Sequence, residues 1–282
     1  MDTKPDNPLS KHFRRPAIYF KLPSNGKFWE EGSIDLPVTS EIPVYPMTAG
    51  DEITLKTPDA LMTGSGIVSV IQSCCPNIKD AWKMPSVDVD ATLIAIRIAS
   101  YGAEMTVTSK CPKCNEEHDY DVDLGIINNG VVCPNFNNPI LYDGLKIKLK
   151  PQQYFSVTQT NVTQFEEQKI AQALTDPNID DDIRNAKLKA SMQKILELND
   201  RLLIESTEYI ETEDGTKITN TDHLLEFYKN APSAVTKSIE ERLADIAKQG
   251  ALPLVSLNCS ACSESYQVPL EFDYASFFEI GS

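Results

Sequence analysis

The chain has 282 residues, a formal net charge of −15 and a hydrophobic fraction of 41%. This length and composition suit one large or two modest globular domains. The negative charge argues against a protein that binds nucleic acid through a broad basic face. No apolar run reaches the roughly 18 residues that a membrane span requires, and the first residues lack the apolar centre of a signal peptide.

The N-terminal part is predicted to be an arm followed by a β-rich region. Residues 1–15 are polar and end in a basic cluster at 11–15, which predicts a flexible arm that either stays solvated or becomes ordered on a neighbouring subunit. Residues 16–50 contain short extended runs, beginning with 18–22. Asn25 and Gly26 mark a turn because both residues tolerate positive φ.

Two core helices are predicted next. Thr57, Pro58 and Asp59 form a helix-start signal, and Pro76 ends that helix. The run at 91–100 within a second helix, 86–102, is apolar on nearly all sides, which indicates a central, buried helix. Arg97 is the exception, and it needs a partner because an unpaired buried charge is very costly. The candidate partners are Asp51, Glu52, Asp88 and Asp90.

Two distant stretches then repeat one pattern. Cys111-Pro-Lys-Cys114 and Cys259-Ser-Ala-Cys262 are Cys-x-x-Cys turns, and each lies between two β-like runs. Two such turns supply four thiolates for one tetrahedral ion. The sequence therefore predicts one zinc site with Cys111, Cys114, Cys259 and Cys262 as ligands. Four thiolates leave no open coordination position, so the Zn²⁺ would be structural.

Other interpretations of these cysteines remain open at this point. Common zinc ribbons place roughly 15–20 residues between the two pairs, whereas most of the C-terminal half lies between them here. Free thiols in a reducing compartment, a disulfide pair and a redox site are the alternatives. A thioredoxin-type site needs a Cys-x-x-Cys that opens a helix, and neither turn precedes a helical pattern. Seven cysteines without a signal peptide favour metal over a disulfide framework.

The remaining metal-ligand candidates receive simpler interpretations. Cys74 and Cys75 are predicted to be buried small hydrophobic residues, and Cys133 is predicted to serve packing. His118 could replace a cysteine as a ligand, but four sulfurs are already available.

A hairpin and a mainly helical insertion are predicted between the two turns. The Asp143-Gly144 turn and the alternation of apolar residues with lysines at 145–150 predict a hairpin with one buried face. Helical segments are predicted at 164–174, 180–204, 222–228 and 233–249, and a second hairpin turns at Asp214-Gly215. In the 180–204 segment, the residues that recur near helical spacing are Ile183, Leu188, Met192, Ile195, Leu196 and Leu202.

The predicted fold class is α+β. A small β-rich N-terminal part carries two core helices, and a zinc-ribbon-like four-cysteine unit is split by a long, mainly helical insertion. The predicted divisions are the flexible arm at 1–15, an α+β core with the first cysteine turn at 16–150, the helical insertion with a hairpin at 151–250, and the second cysteine turn at 251–282, which completes the ribbon.

Enzymatic residue sets are not found in the sequence. The three histidines, His12, His118 and His223, are scattered, and phosphate-binding loops and nucleophile motifs are absent. Carboxylates occur in runs such as 180–182, which usually mark solvated faces or helix starts. The protein is therefore predicted not to be an enzyme.

A family resemblance rests on six motifs in a fixed order between residues 22 and 114. They are Leu22-Pro-Ser-Asn-Gly, Val44-Tyr-Pro-Met-Thr-Ala-Gly-Asp51-Glu52-Ile53, Leu55-Lys-Thr-Pro-Asp-Ala-Leu61, Ser73-Cys-Cys, Ile96-Arg-Ile-Ala-Ser-Tyr-Gly102 and Cys111-Pro-Lys-Cys114. Together they resemble the T4-type baseplate hub family of contractile-tailed bacteriophages, described as hub subunits or hub assembly chaperones. Only the second Cys-x-x-Cys extends the resemblance to the C-terminal part.

The resemblance implies a non-enzymatic virion or assembly protein of the tail baseplate, acting in the host cytoplasm during assembly. The implied partners are other baseplate hub and tail proteins, with the tape measure protein as one candidate. The alternative hypothesis is a zinc-ribbon adaptor that binds nucleic acid or transcription machinery, which the negative charge opposes. A metal-dependent hydrolase is a third hypothesis, and only the acidic residues support it.

Overall fold

The computed structural model describes residues 7–175, 180–270 and 277–278. Helices and strands are mixed, and every strand pairing among these residues is antiparallel. The predicted α+β fold class is confirmed. Residues 1–6 of the predicted arm, 176–179 of the predicted insertion, and 271–276 with 279–282 of the last predicted segment lie outside the described residues.

The elements of the described residues are numbered in chain order. The helices are α1 (Ala49–Leu55), α2 (Pro58–Met62), α3 (Ser65–Cys74), α4 (Ser86–Tyr101), α5 (Leu124–Gly130), α6 (Tyr154–Ala173), α7 (Asp181–Ser206), α8 (Thr221–Asn230) and α9 (Ser233–Gln249). The strands are β1 (Ile18–Lys21), β2 (Glu41–Val44), β3 (Glu104–Lys110), β4 (Glu117–Asp123), β5 (Ile140–Tyr142), β6 (Leu145–Leu149), β7 (Thr207–Glu211), β8 (Lys217–Ile218), β9 (Val255–Asn258) and β10 (Ser265–Val268).

The first hydrophobic core surrounds α4. Leu93, Ile94 and Ile96 have no exposed surface, which confirms the prediction of a central helix that is apolar on nearly all sides. The β1–β2 pair, α1 and α3 contribute further buried side chains. Val122 of β4 and Leu257 of β9 join the same core, so both strand pairs that carry the cysteine turns contribute to it.

The helix predicted from Thr57 to Pro76 is two helices, so the prediction of a continuous helix is wrong. α2 begins at Pro58 as expected, but Gly64 interrupts the chain with a φ of 74°. A Cβ at Gly64 would lie 2.8 Å from Cγ2 of Thr158 on α6. Glycine therefore allows both the left-handed backbone and the close approach of α6.

Two helices were not predicted. α1 begins with a capping box, in which Thr48 and Asp51 each accept a hydrogen bond from the backbone N–H of the other. This pattern is a recognised helix-start signal. Asp123 is the N-cap residue of α5, and its carboxylate accepts hydrogen bonds from the N–H groups of Gly125 and Ile126. Both helices are only seven residues long, too short for a clear apolar period.

The second hydrophobic core lies against a four-stranded sheet with the order β5-β6-β7-β8. Ile147 and Leu149 of β6 are buried while Lys146 is exposed, which confirms the predicted alternation. Side chains from α8, α9 and the end of α7 complete this core. The pairing of β6 with β7 joins the two predicted hairpins, although α6 and α7 separate them in sequence.

Arg14 attaches the described end of the predicted arm to the first core. Its guanidinium donates to the carbonyl oxygens of Pro46 and Ser73, each at 2.8 Å, and lies 3.3 Å from the carboxylate of Asp51. Leu9 and Phe13 nearby in sequence remain exposed.

Arg97 is buried, and its contacts differ in kind from the predicted ion pair. Its Nε donates to the carbonyl oxygen of Phe277 at 2.8 Å, and its guanidinium lies 4.7 Å from the ring centroid of Tyr101. The Tyr101 hydroxyl donates in turn to Glu52, one of the predicted partners. A cation–π contact and a carbonyl acceptor thus stabilise the charge. Arg97 also fixes Phe277, which is buried in the first core.

Asp88, another predicted partner of Arg97, instead closes the turn after β1. Its fully buried carboxylate accepts hydrogen bonds from the backbone N–H and hydroxyl of Ser24 and from Nε1 of Trp29. Burial raises the pKa of Asp88, and the donated hydrogen bonds from Ser24 and Trp29 oppose that shift.

Removing the Asp88 carboxylate is expected to destabilise the fold strongly. Asp88→Ala would leave two buried donors of Ser24 and the partly buried Nε1 of Trp29 without an acceptor, which should lower the free energy of unfolding by more than about 3 kcal/mol. Chemical denaturation measures this change. Asp119→Ala is the matched control, because Asp119 is exposed on β4 and accepts only from the Thr108 hydroxyl among the described contacts. Equal losses in the two variants would contradict the assigned role.

Candidate metal centre

Each predicted cysteine turn is the tip of an antiparallel hairpin. β3 and β4 pair from Glu104 opposite Asp123 to Lys110 opposite Glu117, and Cys111 follows β3 directly. β9 and β10 pair in the same way, and Cys259 follows β9. The regular pairing of each hairpin therefore fixes the position at which its first cysteine leaves the ladder.

The first turn closes through two backbone hydrogen bonds. The N–H of Cys111 donates to the carbonyl oxygen of Glu116 at 2.9 Å, and the N–H of Asn115 donates to the carbonyl oxygen of Cys111 at 2.9 Å. Asn115 has a φ of 61°. This left-handed residue returns the chain to β4 immediately after Cys114.

The second turn has the same backbone pattern. The N–H of Cys259 donates to the carbonyl oxygen of Glu264 at 2.8 Å, and the N–H of Ser263 donates to the carbonyl oxygen of Cys259 at 2.9 Å. Ser263 occupies the left-handed position, with a φ of 58°. The two turns are therefore structural equivalents, as the repeated sequence pattern predicts.

The structure brings all four predicted ligand residues together. The Sγ atoms of Cys111 and Cys262 are 3.7 Å apart, and those of Cys114 and Cys259 are 3.6 Å apart. All four sulfurs lie within 4.8 Å of one another. With a Zn–S bond of about 2.3 Å, the edge of a tetrahedron of sulfurs is about 3.8 Å. The arrangement therefore fits a single tetrahedral ion.

The sulfur distances and the position of the turns at hairpin tips argue against the alternative thiol chemistries. A disulfide requires an S–S distance of about 2.05 Å, and all seven cysteines, which fall within the described ranges, are free. A dithiol redox site of the thioredoxin type lies at a helix N-terminus, whereas both turns here are hairpin tips. Four convergent sulfurs are a soft donor set that suits Zn²⁺.

The backbone around Cys111 favours its thiolate form. The N–H of Cys114 donates to the Cys111 sulfur and lowers the pKa of that thiol to about 7, while burial opposes the shift and the N–H of Lys113 adds to it. Backbone donors stabilise a thiolate because they compensate for its loss of water. A thiolate is the form that binds a metal. Two other cysteines of the cluster shift the opposite way: the backbone N–H groups of Glu116 and Glu264 lower the pKa of Cys114 and Cys262 respectively, but burial and hydrogen bonds with neighbouring thiols outweigh them and raise the pKa of Cys114 to about 12 and that of Cys262 as well.

Side chains between the two hairpins reinforce the site. Lys113 Nζ lies 2.7 Å from Glu264 Oε2, so an ion pair links one turn to the other. The Tyr266 hydroxyl lies 3.3 Å from both the Ser109 hydroxyl and the Tyr120 hydroxyl. None of these contacts was predicted from the sequence. The inward positions of the strands, which alternate with outward ones, were the available signal for Ser109, Tyr120 and Tyr266.

The remaining candidates lie outside the cluster. His118 Nε2 is 3.7 Å from a carboxylate oxygen of Glu116, and its ring packs edge-on against Tyr120. Cys74 and Cys75 are fully buried, as predicted, and burial raises the pKa of both thiols, that of Cys74 to about 12. Cys133 is half-buried and packs against the second core.

The outer face of the β3–β4 hairpin is acidic. Outward positions alternate with inward ones along both strands. The exposed carboxylates are those of Glu104, Glu117, Asp119, Asp121 and Asp123. Such a face repels phosphate groups and suits a basic protein surface.

Comparison with known proteins gives one family. A family model described as T4 bacteriophage base plate protein matches residues 16–279. No curated protein and no solved structure matches the chain. Among the described residues, no helix is both long enough and apolar enough to cross a membrane.

The left-handed residue of each turn provides a test of the hairpin geometry. Ser263→Gly is expected to raise the free energy of unfolding by up to about 1 kcal/mol, because a left-handed backbone costs an L-residue about 1–2 kcal/mol and the entropy of glycine offsets part of the gain. Asn115→Gly should gain less, since asparagine tolerates this conformation. Thermal and chemical unfolding measure both effects.

Ser260→Gly is the control for this comparison. Ser260 lies in the same turn and is exposed, but its φ is not positive. Glycine should therefore bring no gain there. If Ser263→Gly and Ser260→Gly changed the free energy of unfolding by the same amount, the left-handed assignment of Ser263 would be contradicted.

Proposed function

This chain belongs to the T4 bacteriophage base plate protein family, and we propose that it acts in the baseplate hub, as a subunit or an assembly factor with a structural zinc site. The family membership makes it a structural protein of the tail baseplate of a phage virion. Its partners are accordingly other phage tail proteins.

The extent of the family match is the observation that carries this proposal. Residues 16–279 include the β-rich start, both hydrophobic cores and all four cysteines of the cluster. The two cysteine hairpins and the helices inserted between them thus belong to one family unit. Function is expected to reside in surfaces of that unit that bind other tail proteins.

The proposed location within the baseplate is the hub. It is supported by the resemblance of residues 22–114 to hub subunits and hub assembly chaperones. Contact with the tape measure protein and a stage in the host cytoplasm during assembly belong to the same proposal. The division of the chain into 1–15, 16–150, 151–250 and 251–282 is proposed as well.

For the metal, we propose one Zn²⁺ held by Cys111, Cys114, Cys259 and Cys262. The near-tetrahedral sulfur spacing and the soft donor set support this assignment. The bound ion would supply a cross-link and no reactive position. Cys114 and Cys259 are 145 residues apart, so the cross-link removes much conformational entropy from the unfolded chain.

A role in nucleic-acid binding receives less support from the surface. The net charge is −15, and the exposed face of the β3–β4 hairpin beside the cluster carries carboxylates. Binding to DNA or RNA depends on neutralising phosphates with basic side chains.

The proposal that the protein is not an enzyme has a different basis. It is supported by the family and by a four-sulfur site that would leave a bound ion no open coordination position.

The hub proposal is tested by finding the protein in particles. Mass spectrometry of purified tails and of baseplate intermediates is expected to detect the chain in stoichiometric amounts that survive a high-salt wash. Presence in finished tails would assign a hub subunit, whereas presence in intermediates alone would assign an assembly chaperone. Absence from both would overturn the proposal.

The zinc proposal is tested by metal content and stability together. The wild-type chain is expected to contain one zinc per chain, and Cys259→Ser should lose that zinc and lower the free energy of unfolding by more than about 3 kcal/mol, because metal binding contributes directly to folding. Cys133→Ser is the matched control, since Cys133 is a half-buried thiol outside the cluster. Unchanged zinc content in Cys259→Ser would refute the ligand assignment.

A further inference from the structure

One edge of strand β1 has no partner strand. Within the described residues, β1 pairs with β2 alone, in a two-stranded antiparallel sheet. Tyr19 lies opposite Pro43. Proline has no backbone N–H, so these two residues cannot form a hydrogen-bonded pair of the ladder. The hydrogen-bonded pairs are therefore the neighbouring ones, and the N–H and C=O groups of Tyr19 and Lys21 point away from β2.

The free edge of β1 lines a groove of about 810 Å³. The rest of the described lining comes mainly from α5, from residues 131–133 that follow α5, and from Ile98 of α4. The volume lies in the range of pockets that hold a ligand. The unpaired backbone groups of β1 therefore face a space that a second part of the chain bounds.

The side chains of the groove are apolar or uncharged, apart from one ion pair. Tyr19 is 63% exposed and Val132 is 56% exposed, and both residues line the groove. Lys21 and Glu41 are the charged residues of the described lining, and their charged groups lie 3.9 Å apart. The two charges balance each other, so the groove favours an occupant without a strong charge.

The amide group of Asn128 is a further unsatisfied group at this place. Its Oδ1 is buried and has no hydrogen-bond partner among the described residues, and Asn128 lines the groove from α5. A buried oxygen without a donor destabilises the structure that contains it. An occupant with N–H groups supplies the kind of donor that this oxygen lacks.

We propose that the groove binds an extended, uncharged segment of another tail protein, which adds to β1 as a third strand. This choice of partner rests on the proposed function. The backbone groups of Tyr19 and Lys21 repeat after two residues, about 6.8 Å along the strand, and this spacing is complementary to a second extended backbone. Strand addition to an exposed sheet edge is a recurring mode of peptide recognition.

The walls of the groove favour a segment that has no sheet of its own. A second copy of the chain would bring a β1 that lies in an identical groove, and two edges that are each flanked by a wall cannot approach one another. An extended segment enters without this clash. Its alternate side chains can contact Tyr19 and Val132, while its backbone pairs with β1.

The first experiment removes one outward N–H group from the full-length chain. Tyr19→Pro should lower incorporation into baseplates more than about tenfold, measured by mass spectrometry, because the added strand loses a donor and meets the proline ring. The β1–β2 ladder does not use this N–H, so thermal unfolding should change little. Tyr19→Thr is the matched control, since threonine keeps the N–H and suits a strand. Lys21→Pro repeats the test at the second outward N–H if Tyr19→Pro unfolds.

A second experiment identifies the occupant. A photo-reactive benzoyl-phenylalanine replaces Tyr19 in the full-length chain, and cross-links are mapped in purified baseplates and in the free chain. We expect a cross-link to one segment of another tail protein, formed only in baseplates. A cross-link to a second copy or within the chain itself, no cross-link in baseplates, or equal incorporation of Tyr19→Pro and Tyr19→Thr would overturn the strand addition alone. Absence of the wild-type chain from tails and intermediates would overturn the proposed function and this inference together.

Discussion

The structure depends on bringing two hairpin tips to one point although 145 residues separate Cys114 from Cys259. Everything between the tips must leave the first hairpin and return to the second. A loop of this length is entropically costly to close, yet the cost grows only slowly with length. Both hairpins pack into the first core, in which Val122 and Leu257 are buried, and this burial helps to offset the cost of closure.

The elements inserted between the tips are folded rather than loose. The strands before and after the α6–α7 pair share one sheet, because β6 pairs with β7. This pairing closes the insertion independently of the cysteines and anchors both ends of the helical pair. The four-sulfur cluster and the β6–β7 ladder are thus two separate constraints on the inserted segment.

These constraints give a scaffold with two contrasting surfaces. The outer face of the β3–β4 hairpin is acidic and hydrophilic, whereas α7 carries an exposed apolar row. A charged face mainly governs encounter and partner selection, while an apolar face contributes most of the binding energy. The two surfaces therefore differ in the kind of interaction that each can make with another protein.

The sequence by itself determined the features that depend on local spacing. The Cys-x-x-Cys turns, the Asp-Gly hairpin before β6 and the apolar run of α4 all follow from chemistry within a few residues, and the structure contains each of them. The ligand candidates could be named in advance because two copies of one motif lie in similar β surroundings. The family resemblance of residues 22–114 is likewise a property of the sequence.

Only the tertiary structure decided which distant residues meet. The break at Gly64 follows from the approach of Thr158 on α6, and the contacts of Arg97 follow from the return of Phe277 to the first core. Neither partner lies near in sequence, so no local pattern identifies it. The convergence of the four sulfurs is of the same kind, because distances across 145 residues are set by how cores pack.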